Sequence, residues 1–247
     1  MLISRAMVFA AGLGTRLRPL TEHTPKPLIE VGGRALLDHT LQRFDDAGIK
    51  QIVVNTHYLA GQIETHLAAR FPHLALKLSH EDPVLETGGG IVKVLSYFEN
   101  QPFFSANSDT IWLDRDTPAL TRLAQAFDPE RMDALLLLHP LAQAVGYRGP
   151  GNFGLAHDGV LIREAQAPYV FTGLQILHPR LFAGLRVEPF SLRELYLAAQ
   201  GADGRLTRMH GLVHTGDWVH VGSQQELAEA NAFFAERAQA HDAQLRR

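Results

Sequence analysis

The sequence predicts an α/β fold in which a mostly parallel central β-sheet is flanked by helices and followed by a small β-rich region. Two observations predict it. Through about residue 140, runs of strand length alternate with segments of helical periodicity, and the runs are apolar at nearly every position, as in strands buried on both faces. Beyond that point the pattern shifts to hairpin-like pairs and capped helices. The 247 residues are within the size of one α/β domain, and no linker, repeat or low-complexity tract divides them. A single domain is therefore expected, with halves at about 1–140 and 141–222 and a C-terminal helix over 223–247.

Ala6-Met7-Val8-Phe9-Ala10 opens the chain as a buried strand. Leu37, Leu41 and Phe44 recur at helical spacing up to Ala47-Gly48, where glycine suits a C-terminal cap. Ile52-Val53-Val54 is a β-branched strand, Leu59 to Ala69 a helix, and Leu74 to Leu78 an alternating, half-exposed strand. Gly88-Gly89-Gly90 opens a helix carrying Ile91, Val94 and Leu95. Pro102-Phe103-Phe104-Ser105-Ala106 and Leu135 to Leu138 are further buried strands. Gly154-Leu155-Ala156 and Val160-Leu161-Ile162 flank the turn His157-Asp158-Gly159. Two capping boxes follow, Ser191-Leu192-Arg193-Glu194 and Ser223-Gln224-Gln225-Glu226, the second leading into a terminal helix that frays toward Arg247.

Composition excludes several classes. A formal charge of −3 lacks the basic excess of a nucleic-acid binder, so no nucleic-acid partner is expected. No apolar run reaches the roughly 18 residues that span a bilayer, and Met1-Leu2-Ile3-Ser4-Arg5 has no secretory pattern; no membrane partner and a cytoplasmic location are expected. The absence of cysteine removes disulfides, thiolate metal sites and Cys nucleophiles. None of the 13 histidines falls in a His-Glu-x-x-His spacing.

The functional signal lies between the first strand and residue 28. Ala11, Gly12, Leu13, Gly14 and Thr15 let the backbone close on a ligand, and two cations follow, Arg16 and, within Pro25-Lys26-Pro27, Lys26. Converging backbone N–H donors with fixed positive charge beside them suit a triphosphate. A dinucleotide-binding loop needs a third glycine where Leu17 stands, and no Gly-Lys-Ser/Thr sequence occurs. The plainer alternative is a tight strand-to-helix turn with Arg16 in solvent.

Taken in order, Ala10-Ala11-Gly12-Leu13-Gly14-Thr15-Arg16-Leu17-Arg18-Pro19-Leu20-Thr21 and Pro25-Lys26-Pro27 resemble the signature of the sugar-1-phosphate nucleotidyltransferases. Leu85-Glu86-Thr87-Gly88-Gly89-Gly90-Ile91 is similar to that family's base- and ribose-contacting segment, and Asn107-Ser108-Asp109 to its Gly-Asp or Asn-Gly-Asp. The resemblance implies a Rossmann-like fold of the nucleotide-diphospho-sugar transferase type. It also implies roles: Arg16 on the β- and γ-phosphates, Lys26 near the α-phosphate and Asp109 on a Mg²⁺ ion, with Glu86, Thr87, Gly88 and Asn107 around the nucleoside. Gly149-Pro150-Gly151-Asn152-Phe153-Gly154 and Phe171-Thr172-Gly173-Leu174-Gln175-Ile176-Leu177 resemble the sugar-phosphate segments, which assigns Asn152, Thr172, Gly173 and Glu164 to the acceptor. Arg163-Glu164-Ala165 departs from the family's Glu-Lys-Pro, so Glu164 is either a sugar contact or a solvated hairpin edge.

The sharpest departure is in Trp218-Val219-His220-Val221-Gly222, where relatives read Trp-x-Asp-x-Gly and the aspartate is a second metal ligand. Strand alternation puts Val219 and Val221 on one face and Trp218 and His220 on the other. Three roles are open to His220: ligand to a softer divalent metal such as Mn²⁺, partner of a phosphate or metal-bound water, or structural residue. Asp217 is on the opposite face from it.

Within the family, His23-Thr24-Pro25-Lys26-Pro27 and Leu85 to Gly90 resemble uridylyltransferases that act on N-acetylmuramate 1-phosphate in peptidoglycan recycling, with mannose-1-phosphate guanylyltransferases the alternative. The implied partners are an NTP and a sugar 1-phosphate, in a monomer or weak homo-oligomer. A different class stays open: a silent regulatory protein that binds the nucleotide without turning it over.

Overall fold

The computed structural model describes residues 3–245, with side chains through residue 240. In chain order the elements are β1 (Arg5–Phe9), β2 (Glu30–Val31), β3 (Arg34–Ala35), α1 (Leu36–Asp46), β4 (Gln51–Thr56), α2 (Ala60–Arg70) and β5 (Ala75–His80). Then come α3 (Glu86–Val94), β6 (Phe103–Asn107), β7 (Thr110–Leu113), α4 (Ala119–Ala126), β8 (Ala134–Pro140), β9 (Gly154–Leu155) and β10 (Val160–Ile162). The chain ends with β11 (Tyr169–Leu177), α5 (Leu192–Ala198), β12 (Arg205–Val213), β13 (Asp217–His220) and α6 (Gln224–Leu245).

Nine strands form one sheet in the order β5-β4-β1-β6-β11-β8-β12-β10-β9. β1 pairs in parallel with β4 and β6, β4 with β5, and β8 with β12, while β11 runs antiparallel between β6 and β8. With β10 antiparallel to β12 and β9, seven strands point one way and β11 and β10 against them.

The unbroken apolar runs explain the layering. Ala6 and Val8 of β1, Ile52 and Val54 of β4, and Leu135 and Leu137 of β8 bury into one core beneath α1, α2 and α4. The alternate residues Met7, Val53, Leu136 and Leu138 bury into a second core beneath α3 and α5. Strand side chains alternate faces, so a strand covered on both sides is apolar throughout. Leu17, which stands where a dinucleotide loop has glycine, fills a third core with Val31, Leu36, Ile111, Val219, Val221 and Ala230.

Several expectations change. The helix expected to open at Gly88 begins at Glu86. The β-rich later half joins the main sheet through β9 to β12, since the nine-residue β11 is apolar enough to be buried between β6 and β8. A pair of short strands, β7 and β13, sets Trp218 opposite Trp112 and His220 opposite Thr110. Of the expected terminal helix, Arg246 and Arg247 lie outside the described residues. No helix among the described residues is long and apolar enough to cross a membrane.

Candidate functional site

The carboxyl ends of β1, β4, β5 and β6 open into a cavity of about 490 Å³ lined by Gly12, Arg16, Lys26, Glu86, Asn107 and Asp109 among others. Open α/β sheets place their ligands at this edge. Ala11, Leu13, Gly14, Thr15 and Thr87 also line it. Gly14 adopts φ +65°, and a β-carbon there would lie 2.9 Å from Lys26 Cβ, so only glycine lets the lysine segment close on the loop. Thr21 Oγ1 donates to Gly14 O at 2.8 Å and locks the turn.

A buried polar chain braces the end of the cavity nearer α3. Ala10 N donates to Asn55 Oδ1 (2.7 Å), Asn55 Nδ2 to Glu81 Oε1 (2.8 Å), and Leu85 N to Glu81 Oε2 (2.8 Å). Glu81 is fully buried, and with Asn55 it lines the cavity, tying the loop after β1 to the segment that enters α3. Neither residue stands in a recognisable sequence pattern, and the sequence reading missed both.

At the other end, beside Arg16, Lys26 Nζ donates to Asp109 Oδ2 at 2.7 Å. Burial alone would raise the Asp109 carboxyl, but Lys26, with His220 and Arg16 beyond, holds it below the ordinary carboxylate value. Val221 N donates to Asp109 O at 3.0 Å, which sets β13 beside the aspartate. His220 falls on the side of β13 that faces away from Val219, as alternation predicts, and packs between Tyr147 and Trp218 at ring separations of 5.5 and 5.9 Å. Its Nδ1 lies 3.2 Å from Glu226 Oε2, out of line for a hydrogen bond. Burial keeps the His220 ring below the ordinary imidazole value against the pull of Asp109 and Glu226, so the ring is neutral near pH 7. Asp217 is engaged elsewhere, accepting from Arg237 at 2.6 Å.

No cluster of three His, Asp or Glu among the described residues forms a self-sufficient metal site. The donor set still fits a divalent ion brought with a triphosphate. Mg²⁺ takes one or two protein carboxylates and completes its shell with phosphate and water oxygens, and Asp109 offers one carboxylate at the cavity wall.

A second cavity, of about 680 Å³, adjoins the first and shares Thr87, Asn107 and Ser191 with it. Asn152 and Glu164 line it as expected, together with Arg163 and Arg193. Asn152 Oδ1 accepts from Phe171 N at 2.8 Å, which leaves its Nδ2 for a ligand. Its inner wall was not foreseen: Tyr196 Oη donates to Gln175 Oε1 (2.5 Å), and Gln175 Nε2 to Ser105 Oγ (3.0 Å). Burial pushes the Tyr196 phenol far above its ordinary value, so it acts as a neutral donor.

Three assigned residues sit elsewhere. Thr172 is fully buried and spends its hydroxyl on Leu137 O at 2.9 Å, so it has no donor for a sugar. Gly173 is buried at the register shift in β11, against Asn107 and Thr110. Gly88 lies under Phe190, whose ring would be 2.1 Å from an added β-carbon; its lack of a side chain serves helix packing rather than an open base-binding surface.

Comparison with known proteins gives the family. A profile described as "Nucleotidyl transferase" matches residues 5–149. The chain is 42% identical over 238 residues to an N-acetylmuramate α-1-phosphate uridylyltransferase of Caulobacter vibrioides, covering 94% of this chain and 97% of that one. It is 29% identical to a mannose-1-phosphate guanylyltransferase catalytic subunit beta of Drosophila pseudoobscura, covering 91% of this chain but 60% of that one. Among solved structures, HddC from Yersinia pseudotuberculosis complexed with GMP-PN superposes with a TM-score of 0.75 at 21% identity, over 94% of this chain and all of that one, a likeness of fold.

Proposed function

Because the chain belongs to the nucleotidyl transferase family, we propose that it transfers the uridylyl group of UTP to N-acetylmuramate 1-phosphate and releases pyrophosphate. The observation that carries this reading is the pair of adjoining cavities with a common wall of Thr87, Asn107 and Ser191. A triphosphate laid along the Gly12 to Lys26 loop would meet a sugar phosphate entering from the second cavity at that wall. UTP and N-acetylmuramate 1-phosphate are chosen because the Caulobacter relative is aligned over nearly its whole length.

A phosphate oxygen of the sugar 1-phosphate attacks the α-phosphorus, the bond from that phosphorus to the α–β bridging oxygen breaks, and pyrophosphate leaves. The nucleophile is already an anion, so no general base is needed. Catalysis then rests on positioning and on neutralising charge. Arg16 meets the β- and γ-phosphates. Lys26 trades its bond to Asp109 for the α-phosphate region, where negative charge builds on the non-bridging oxygens. Asp109 holds the divalent metal, which supplies charge neutralisation when bound; Mg²⁺ is the expected ion. Asn152 Nδ2 and Glu164 orient the sugar. Both cavities are built from a single chain, which supports a monomer as the working unit. The setting is the cytoplasm, where NTPs are made, and the product feeds cell-wall recycling.

The test is a panel of the four NTPs against several sugar 1-phosphates, with pyrophosphate release as the readout. UTP with N-acetylmuramate 1-phosphate is expected to give the highest kcat/KM. Preference for GTP and mannose 1-phosphate would overturn the substrate assignment, and silence with every pair would favour a nucleotide-binding regulator.

A further inference from the structure

We propose that Arg163 and Arg193 read a second acidic group on the acceptor, a carboxylate set apart from its 1-phosphate, and so select an acidic sugar over a neutral one. This deepens the proposed function and rests on its reading of the second cavity as the acceptor site.

Three charged side chains stand on the wall of that cavity: Arg163, Glu164 and Arg193. Arg163 follows β10, and its backbone is fixed where its N donates to Gly204 O at 2.9 Å. Arg193 is in the first turn of α5, two residues from Ser191 of the wall shared with the nucleotide cavity. Both arginines are exposed, and among the described residues neither guanidinium makes a hydrogen bond or an ion pair. Other arginines of this half are matched. Arg205 pairs with Asp158 at 2.5 Å, and Arg180 and Arg208 share Asp133 at 2.5 and 2.9 Å. Glu164 does not neutralise its neighbours: its Oε1 lies against Gly154, 1.9 Å from where a β-carbon would stand there. The cavity thus faces an entering ligand with positive charge that no protein group has taken up.

The fold also sets Arg163 away from the reacting phosphate. Asn107, on the shared wall, ends β6, whereas β10 is four places along the sheet from β6. At strand spacings of about 4.8 Å the two backbones are on the order of 20 Å apart across the strands. A group that meets Arg163 is therefore a different part of the acceptor from the phosphate that reacts at the shared wall. The sequence carries a matching sign, since Arg163 stands where relatives read the glutamate of Glu-Lys-Pro. Arginine is always charged, and its planar fork matches a carboxylate. N-acetylmuramate differs from N-acetylglucosamine by a lactyl ether that ends in a carboxylate, which makes it an acceptor of the required kind.

The test is steady-state kinetics of the full chain, with whichever NTP supports pyrophosphate release, on N-acetylmuramate 1-phosphate, its lactyl amide and N-acetylglucosamine 1-phosphate. All three keep the 1-phosphate, and only the first keeps the carboxylate. Wild type is expected to favour the first over each of the others by at least about 100-fold in kcat/KM. Arg163→Gln and Arg193→Gln are each expected to cut that preference at least about tenfold, with melting temperatures near wild type because both side chains are exposed. Lysine at either position is expected to restore part of the preference, since it keeps the charge and loses the fork. Equal losses on all three acceptors would assign the arginines to the 1-phosphate and overturn the proposal. So would a wild type that takes the amide as readily as the acid. Should no NTP be turned over, calorimetric titration of the three sugar phosphates reads the same preference in Kd, so failure of the proposed reaction and failure of this inference are told apart.

Discussion

At the scale of single residues the site turns on the contact between Lys26 and Asp109. Under the proposed function, this 2.7 Å ion pair at a cavity wall is a placeholder that a triphosphate and its cation must open, the lysine then meeting a phosphate and the aspartate a metal. Removing one such preorganised charge costs about 10²–10³ in rate at comparable sites. Lys26→Ala and Asp109→Ala are therefore each expected to lower kcat by that order while circular dichroism and gel filtration stay native; turnover within tenfold of wild type in either would contradict the assignment. That Arg16 and Lys26 share one loop was legible in the sequence because glycines, prolines and charges at fixed offsets encode its path, and Asp109 came from the resemblance of Asn107-Ser108-Asp109 to a family motif. Thr172 was misjudged for the opposite reason: a hydroxyl in a strand faces either ligand or core, and the register shift in β11 that sends it to Leu137 O leaves no trace in composition.

At the scale of elements, two glycines separate ligand contact from packing. Gly12 has nothing within 4 Å of an added β-carbon, whereas one on Gly89 would meet Glu188 O at 2.0 Å. Gly12→Ala is thus expected to leave the melting temperature near wild type and to raise the KM for NTP, because the methyl group enters the space of the bound nucleotide. Gly89→Ala is expected to push α3 off the Glu188–Phe190 segment and lower the melting temperature by several degrees. Equal stability in the two variants would refute this division. The wall made by α5 and β11 allows a similar test. Tyr196→Phe leaves Gln175 Oε1 buried without its donor, a loss of about 1–3 kcal/mol in unfolding free energy, with KM for the acceptor raised more than KM for NTP. Chemical denaturation and separate titration of the two substrates check both halves. The strand-helix alternation of the first half was legible because local periodicity encodes it. The path of β11 into the sheet was not, since an apolar run specifies burial but not which neighbours bury it.

At the scale of the whole molecule, the folded chain also buries imidazoles that no proposed catalytic step uses. His139, His210 and His214 are 1%, 5% and 4% exposed, on β8, at the β10 pairing and beside β13. Burial lowers the pKa of each from 6.5, only partly offset by backbone acceptors such as Gly216 O for His139 and Leu113 O for His214. The unfolded chain takes up protons on these rings as pH falls through about 6.5, while the folded chain refuses them until lower pH. Since stability rises with pH wherever the unfolded state binds more protons, their contribution is complete above pH 6.5 and is lost as pH falls from there through the native values. Carboxylates act in a lower window: Asp45, held down by His73 and Lys50, begins to cost stability only as pH drops below its ordinary 3.8. The melting temperature is therefore expected to be level from pH 8 to 7 and to decline between 6.5 and 5, above the window in which Asp45 acts. A triple replacement of His139, His210 and His214 by glutamine, less stable at pH 8 because it alters buried sites, is expected to flatten that slope, leaving the part carried by His39, His178 and His220. A wild-type melting temperature that stays level down to pH 5, or a triple variant that declines just as steeply, would place the acid sensitivity outside the core histidines.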